Sequence, residues 1–330
     1  MNKINWGILG CGDVTEVKSG PAFKKVAEST IEAVMRRDAE KANDYATRHQ
    51  ISKWYANAQV LIADVNTNAI YIATPPAFHK DYAIEALKAG KNVYIEKPVT
   101  LTVAECEEII EAQKLYQKKV TVAHYRRALP LFIKIKELID GQAIGDIRLI
   151  NLKLFQKPGS NQIAQTEENW RINPALSGGG LFYDLAPHQL DMMIHIFGAP
   201  NYTNGFSKNQ SQQNEVADIT SGQLIFKKDI VFNGLWCFNS HPDNEIEECE
   251  IIGSKGKIVF SFFGNDLNLT VNSETEHFSF KNTQHIQQNM IEKTVNYFLD
   301  KDENPCSLED AFLSLKIMEN FGRDNALVIQ

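Results

Sequence analysis

The residues best suited to chemistry are a lysine that follows a predicted strand and a histidine in a later helical stretch. Lys97 lies in Glu96-Lys97-Pro98, directly after the apolar stretch Asn92 to Ile95, which is typical of a buried strand. Ligands of an open α/β sheet bind at the carboxyl ends of its strands, so the sequence predicts that Lys97 faces a ligand. There its ammonium group can donate a hydrogen bond to an oxygen on which negative charge develops.

The histidine, His188, belongs to a regular stripe of polar residues. After three glycines (178–180), Asp184, His188, Asp191 and His195 are spaced so that they share one face of a helix. His188 suits the role of general acid because imidazole titrates near neutral pH, and Asp184 is a candidate to orient it. Four ligands spread over three turns cannot converge on one ion, so no metal site is predicted. Alternatively, these side chains have only structural partners, which we expect for Asp191 and His195 more than for His188.

A glycine pair near the N-terminus predicts a dinucleotide site. The first glycine permits a tight turn, the second lets the backbone approach a pyrophosphate, and the start of the next helix favours the phosphates. Thr15 replaces the third glycine of the motif, but a predicted strand, Ile4 to Leu9, precedes the turn and a predicted helix follows it. The cofactor-binding residues predicted in this turn are Gly10, Gly12, Asp13 and Val14.

The end of the second predicted strand bears on the choice of cofactor. An acidic side chain at this place binds the ribose of NAD, but this chain has Arg36 and Arg37 there, followed by Asp38. Two arginines can bind the 2′-phosphate of NADP through charge-assisted hydrogen bonds. We therefore predict NADP as the favoured cofactor and NAD as the alternative. It stays open whether the arginines are solvated surface residues and whether Asp38 binds a ribose.

The elements that position these residues follow two different patterns. From the N-terminus to about Val122 strands alternate with helices, which predicts a parallel sheet of βαβ units and a Rossmann domain, residues 1–123. Its first predicted helix has Val14, Val17 and Val26 among its apolar positions and is interrupted by Pro21. Residues 124–330 are predicted to form an α+β domain with a large, mostly antiparallel open sheet. The strands predicted in this second domain are 147–155, 221–226, 230–238, 248–252, 257–262 and 267–271.

Composition excludes several other classes of protein. The 330 residues carry a net charge of −7, whereas generic nucleic-acid binding requires a basic face. No apolar run approaches the roughly 20 residues that span a bilayer, and a strand is predicted from Ile4 onward, so no signal peptide is expected. The five cysteines are scattered and odd in number, which is typical of a reducing compartment. We expect a cytoplasmic protein that binds neither nucleic acid nor membranes.

These motifs together resemble those of the Gfo/Idh/MocA family of oxidoreductases, and the resemblance covers nearly the whole chain. It rests on the Gly-x-Gly turn, on Glu96-Lys97-Pro98 and on the stretch from Gly178 to Asp191. Glu-Lys-Pro combined with that later stretch is highly specific. Two further stretches are similar to family motifs, namely Ala73-Thr74-Pro75-Pro76 with His79, and Ile251-Ile252-Gly253-Ser254-Lys255-Gly256.

The resemblance implies an NAD(P)-dependent dehydrogenase or reductase that acts on CH–OH groups of a sugar, polyol or related diol by hydride transfer. It implies that Lys97, His188 and Asp184 are the catalytic residues. The residues that it adds to the predicted cofactor site are Thr74, Pro75, His79, Glu96 and Lys97. Arg36 departs from the family, in which many members carry Asp at this place, and so puts a preference for NAD in doubt.

Two alternatives remain within this interpretation. The first is a trans-dihydrodiol dehydrogenase, because aromatic residues lie near the predicted pocket. The second is a regulator that senses the cofactor on the same fold without catalysis. Both Lys97 and His188 are present, which favours an enzyme.

The substrate and the assembly are less closely specified by the sequence. Family members share a fold more than a substrate, so no particular substrate is predicted. The residues predicted to contact it are Tyr125, Arg126, Trp170, Arg171, Asp184 and His188. An aromatic ring can stack on a sugar and an arginine can bind hydroxyls or a carboxylate, but the first four residues can equally pack between domains. An open sheet with one uncovered face commonly requires a partner, so a homodimer or homotetramer through that sheet is expected.

Overall fold

The computed structural model of the chain describes residues 2–159 and 170–322, and the chain forms two compact units. The first unit contains Met1–Ala128 and Thr283–Phe312, and the second contains Leu129–Asn282 and Leu313–Gln330. The first unit is therefore built from two separate stretches of chain. The division at residue 124 that the sequence predicts does not include this return of residues 283–312.

Regular elements account for most of the described residues. The strands are β1 Ile4–Leu9, β2 Ser29–Met35, β3 Lys53–Tyr55, β4 Ala69–Ile72, β5 Asn92–Ile95, β6 Val120–Val122, β7 Ile147–Phe155, β8 Tyr202–Lys208, β9 Ile219–Ile225, β10 Val231–Cys237, β11 Ile246–Gly253, β12 Gly256–Phe260, β13 Asp266–Val271 and β14 Glu274–Ser279. The α-helices are α1 Gly20–Phe23, α2 Ala39–Arg48, α3 Ala58–Ile62, α4 His79–Lys88, α5 Val103–Tyr116, α6 Pro130–Asp140, α7 Pro174–Ser177, α8 Gly180–Phe197, α9 Gln288–Phe298 and α10 Leu308–Gly322. No helix among the described residues is both long and apolar enough to cross a bilayer.

The first unit contains a six-stranded sheet in which every neighbouring pair is parallel. Its order is β3-β2-β1-β4-β5-β6, the order of a Rossmann fold. β4 and β5 are buried along their whole length, as strands covered on both faces must be. The carboxyl ends of β1, β2, β4 and β5 therefore open onto the same edge, as the sequence predicts.

An aromatic cluster forms much of the core of the first unit. The ring of Trp6 on β1 lies 4.9 Å from that of Phe23 and 5.7 Å from that of Phe298 on α9. Tyr71 on β4 and Tyr94 on β5 stack with their ring centroids 5.1 Å apart. The returning stretch 283–312 thus contributes apolar surface that the N-terminal stretch needs in order to close its core.

The predicted first helix is wrong in its form. The chain makes a π-helical turn at Val14–Lys18, and α1 begins only at Gly20. The Tyr45 hydroxyl of α2 donates to the carbonyl of Thr15 (2.9 Å), which also accepts from the backbone amide of Ser19. A Cβ on Gly20 would meet the Thr15 carbonyl oxygen at 2.1 Å and the Tyr45 hydroxyl at 2.3 Å. This close approach, which depends on a residue of another helix, has no signal in the local pattern.

The second unit contains an eight-stranded sheet in the order β14-β13-β12-β11-β7-β10-β9-β8. All neighbouring pairs are antiparallel except β7 with β10. The chain is thus an α/β protein with a Rossmann domain followed by a mostly antiparallel sheet, as predicted. Every strand predicted in this part is present, with ends that differ by up to two residues. β8 and β14 are additional strands at the two edges, and both are too polar to be predicted from alternation.

Candidate functional site

The Gly10-Cys11-Gly12 turn at the end of β1 is shaped for close approach. Gly10 has φ +92°, and a Cβ there would lie 2.8 Å from the backbone of Ala73 and Thr74. Only glycine suits that position, because the left-handed region and the clash both exclude a side chain. A Cβ on Gly12 would meet no atom within 4 Å. The backbone at Gly12 is therefore open to a ligand, which fits a pyrophosphate.

The residues after this turn are held by their own backbone bonds. The amides of Thr15 and Glu16 both donate to the carbonyl of Gly12 at 3.0 Å, and the Thr15 hydroxyl donates to it at 2.8 Å. Asp13 is exposed and Val14 is half-buried. The short π-helical turn thus replaces the long helix that the sequence predicts behind the phosphates.

The two arginines after β2 lie at the same edge. Nη1 of Arg36 donates to the carbonyl of Cys11 (3.2 Å), so the half-buried Arg36 lies over the glycine turn. The exposed Arg37 stacks on the ring of Phe78 at 5.1 Å. The carboxylate of Asp38 accepts from the amide of Lys41 (3.1 Å) and caps α2. This capping bond uses Oδ1 of Asp38 and holds its carboxylate at the start of α2.

His79 joins the ends of two loops at the edge of the parallel sheet. Its Nε2 lies 2.8 Å from the carbonyl oxygen of Thr74, and its Nδ1 lies 3.0 and 3.2 Å from those of Pro98 and Val99. Burial lowers the pKa of His79, and a neutral ring has one N–H to donate. The Thr74 hydroxyl is buried and has no hydrogen-bond partner in the described part of the chain. That hydroxyl is a polar group that a bound ligand would satisfy, whereas the ring of His79 supports the loops.

The Glu-Lys-Pro motif follows β5, and its glutamate points inward. Oε1 of Glu96 accepts from the Tyr71 hydroxyl at 2.6 Å and from Nε2 of Gln287 at 2.7 Å, and Oε2 accepts from the amide of Lys97 at 3.3 Å. Burial and the charge of Glu96 raise the pKa of Tyr71 well above its usual value, so its hydroxyl keeps its proton and donates. Lys97 itself is half-buried at the carboxyl end of β5. Sequence reasoning missed Tyr71 and Gln287, and no local motif identifies either residue.

The second motif lies on α8 in the second unit. Nε of Arg171 pairs with Oδ2 of Asp184 at 3.0 Å, and both side chains are mostly buried. One turn later His188 is buried, and its ring meets that of Phe263 edge-on with centroids 6.3 Å apart. Asp191 is buried to 1% exposure. In the predicted stripe, His188 and Asp191 are therefore buried, whereas Asp184 and His195 at its two ends are half-buried.

The other predicted substrate residues are placed less uniformly. Tyr125 and Arg126 are buried in a 3₁₀ turn, where the arginine donates to the tyrosine hydroxyl at 2.9 Å and stacks on its ring at 5.0 Å. Trp170 begins a short 3₁₀ turn, and its side chain lies outside the described residues. Phe263 was not predicted, since it lies in a loop between strands rather than in a motif.

Comparison with known proteins identifies the family. A family model described as oxidoreductase family, NAD-binding Rossmann fold, matches residues 4–124, and the GFO/IDH/MocA C-terminal domain matches residues 132–259. The chain belongs to the Gfo/Idh/MocA family of oxidoreductases. Its first unit therefore contains the NAD-binding Rossmann domain of that family, in agreement with the open glycine turn and the buried Thr74 hydroxyl.

Individual members of the Gfo/Idh/MocA family differ in their likeness to this chain. Oxidoreductase P35 of Formosa agariphila is 47% identical over 321 residues, which cover 97% of this chain and 98% of the relative. D-xylose 1-dehydrogenase (NADP(+)) of Hypocrea jecorina is 29% identical over 190 residues, or 53% of this chain and 49% of the relative. The crystal structure of an oxidoreductase from Thermotoga maritima has a TM-score of 0.85 at 25% identity and covers 96% of this chain and 95% of that one.

Proposed function

We propose that this oxidoreductase interconverts a secondary alcohol and a carbonyl on a sugar, polyol or related diol. The observation that carries the proposal is the place of Lys97. It follows β5 at the carboxyl edge of the parallel sheet, and at the same edge β1 ends in the open turn of Gly10 and Gly12. Ligands of such sheets bind at that edge. A nicotinamide cofactor, when bound, would supply the transfer of hydride.

The catalytic roles follow from the chemistry of three side chains. Lys97 donates a hydrogen bond to the reacting oxygen and stabilises its developing negative charge. His188 carries the proton between that oxygen and solvent, a role for which imidazole is well suited. Asp184 orients the ring of His188 or a neighbouring substrate hydroxyl, and the ion pair with Arg171 fixes its carboxylate.

NADP is the cofactor that we favour. Two observations support this choice: Arg36 lies over the glycine turn, and Arg37, which follows it in the sequence, is exposed. Arginines bind phosphate groups through charge-assisted hydrogen bonds. The cap that Asp38 provides to α2 weakens the case for a ribose ligand at that residue. The cofactor residues that we propose are Gly10, Gly12, Asp13, Val14, Arg36, Arg37, Thr74, Pro75 and Lys97, with His79 and Glu96 as supports.

The substrate class is supported by a relative and by the polar residues of the second motif. The name of the Hypocrea jecorina relative states a sugar as its substrate. Arg171 pairs with Asp184, which lies one turn before His188 on α8, and charged groups form stronger hydrogen bonds than neutral ones. Tyr125, Arg126 and Trp170 complete the set of substrate residues that we propose.

We also propose that the protein assembles through its open sheet. β10 alternates buried residues with half-buried ones such as Val231 and Leu235, and the edge strand β8 exposes 49% of Tyr202 and 42% of Phe206. A homodimer or homotetramer would cover this apolar surface, and light scattering after gel filtration measures the state. The scattered cysteines favour a reducing compartment, so the cytoplasm is the location that we expect.

A spectrophotometric screen tests the function. Sugars, polyols and a trans-dihydrodiol are each incubated with NADP or NAD, and absorbance of the reduced nicotinamide is followed. We expect turnover with at least one sugar or polyol and a higher kcat/KM with NADP. Turnover of the dihydrodiol alone would favour the diol dehydrogenase. Tight binding of NADPH without turnover of any compound, in either direction, would favour the regulator.

A further inference from the structure

A closed ring of hydrogen bonds lies inside the first unit. The backbone amide of Gln287 donates to the carbonyl of Lys18 (3.3 Å), and its side-chain amide donates to the carboxylate of Glu96 (2.7 Å). The Tyr71 hydroxyl donates to the same carboxylate oxygen (2.6 Å) and lies 3.0 Å from the hydroxyl of Ser19. Because Ser19 follows Lys18 in the chain, the ring closes. It joins the end of the π-helical turn to the glutamate of Glu-Lys-Pro.

The ring is almost completely removed from water. Tyr71 and Ser19 have 0% exposure, Gln287 has 1% and Glu96 has 7%. Hydrogen bonds in such surroundings are stronger than at the surface, and a buried carboxylate that loses a donor is strongly destabilised. Each donor to Glu96 therefore has a large effect on where the glutamate and its neighbour in the chain can lie.

The stretch that supplies Gln287 has a second contact with the same turn. Nδ1 of His285 lies 2.8 Å from the carbonyl oxygen of Val17. Val17 and Lys18 end the π-helical turn that follows the glycines. His285 and Gln287, two positions apart in the returning stretch, thus contact two successive carbonyls of the turn, and Gln287 also contacts Glu96.

We propose that Gln287 and Tyr71 are positioning residues that hold Lys97 in register with the cofactor-binding turn. They act through Glu96, whose carboxylate they fix and whose backbone continues into Lys97. This inference rests on the proposed function, since it assigns to Lys97 a reacting oxygen whose place the cofactor sets. Small displacements of a catalytic group are costly: about 1 Å can lower a rate by about 100-fold.

Hydrogen exchange of the cofactor-free protein tests the positioning directly. Gln287→Met removes the donor and keeps the length of the side chain. We expect backbone exchange about 5- to 100-fold faster in residues 14–19 and 95–100, with little change elsewhere. The matched control is Gln284→Met, three residues before Gln287 in the chain. This substitution removes an exposed hydrogen bond that the Lys25 ammonium donates to the side chain of Gln284. Unchanged exchange in both segments would overturn the proposal, and so would a uniform increase through the first unit.

Kinetics tests the consequence for Lys97. Tyr71→Phe and Gln287→Met are each expected to lower kcat about 10- to 100-fold and to change KM much less. Tyr94→Phe is the comparison for the first, because its hydroxyl is equally buried but donates to Oε1 of Gln287 over 3.5 Å and not to Glu96. An equal loss in Tyr94→Phe and Tyr71→Phe would show that the bond from Tyr71 to Glu96 has no special role and would contradict the proposal.

A charge introduced into the ring gives a signature that a general loss of stability does not. In Gln287→Glu two carboxylates share one proton at low pH and repel each other when both ionise. In the direction of alcohol oxidation, kcat of this variant should fall as pH rises, in a limb that the wild type lacks. Absence of this limb, with the melting temperature constant over the same range, would overturn the proposal. If the wild type oxidises and reduces nothing, the proposed function fails, while the exchange experiment still decides whether the ring holds the two segments.

Discussion

The preference for NADP is the prediction that the geometry specifies most closely. Arg36 and Arg37 differ in their surroundings: the first is half-buried and bound to the Cys11 carbonyl, whereas the second is exposed and stacked on Phe78. A charge-assisted hydrogen bond from a partly buried arginine is worth about 1.5–3 kcal/mol. This corresponds to about a 10- to 150-fold change in a dissociation constant. An exposed ion pair is worth about 0.2–1 kcal/mol, which changes a dissociation constant by up to about fivefold.

These magnitudes predict an unequal response of the two positions. Arg36→Ala should weaken NADP binding about 10- to 150-fold and Arg37→Ala at most about fivefold. Arg36→Ala also removes the bond to Cys11, but any loosening of the turn weakens NAD and NADP alike. The ratio of the two dissociation constants cancels that contribution and isolates the 2′-phosphate.

Titration calorimetry of each variant with NADP and NAD measures this ratio. Arg148→Ala is the control for net charge, because it removes one exposed arginine of the second unit. Arg36→Lys should lie between wild type and Arg36→Ala, since lysine keeps the charge but not the forked geometry. Equal losses for the two cofactors in Arg36→Ala would show that the arginine only supports the turn. A ratio that shifts in Arg148→Ala as well would assign the effect to long-range charge.

Three further predictions concern single side chains. Lys97→Met should lower turnover about 100- to 1,000-fold and weaken cofactor binding, followed by NADPH fluorescence, much less than that. Wild-type turnover would exclude Lys97 from the reaction. His188→Asn should abolish the part of the pH–rate profile that reports the histidine. In the wild type the rate of carbonyl reduction should fall as pH rises, and the rate of alcohol oxidation should fall as pH drops. A variant that keeps both this pH dependence and the rate would show that another group transfers the proton. Burial opposes the ionisation of Asp64, but hydrogen bonds from Asn66 and Lys53 outweigh it, and its pKa is lowered from 3.8 to about 2. Its contribution to stability is therefore present above about pH 4 and lost as pH falls toward 2, so Asp64→Asn should flatten the dependence of the unfolding free energy on pH in this window, as measured by urea denaturation.

The sequence predicts those elements whose pattern is local. Asn92–Ile95 and Ile147–Phe155 have the predicted bounds, because the first is a short buried stretch and the second alternates apolar and polar residues. β14 was missed because an edge strand needs no buried face, and its residues are almost all exposed. The form of the first helix was not predicted, because Tyr45 of another helix lies close to Thr15 and Gly20 at this place.

The residues of the candidate site likewise differ in whether a local motif identifies them. Gly10 and Lys97 are identified by motifs that include their neighbours in the chain. Gln287 carries no such signal, since its partner Glu96 is 191 residues earlier and the contact exists only after the chain returns to the first unit. Phe263 is similar: its contact with His188 depends on how a loop between strands packs on α8. Residues that support a motif from a distance cannot be predicted from one sequence.

The discontinuity of the first unit imposes an order on folding during synthesis. Chains grow at about 5–20 residues per second, so the roughly 150 residues between the two stretches of this unit take about 8–30 s to appear. During this interval the ring of Trp6 lacks its contact with Phe298, and Glu96 lacks the amide of Gln287. When residues 1–128 have left the ribosome, the aromatic core of this unit is therefore still open. The Glu96 carboxylate still lacks the hydrogen bond from the side chain of Gln287. The part of the protein that is made first is completed only when residues 283–312 arrive.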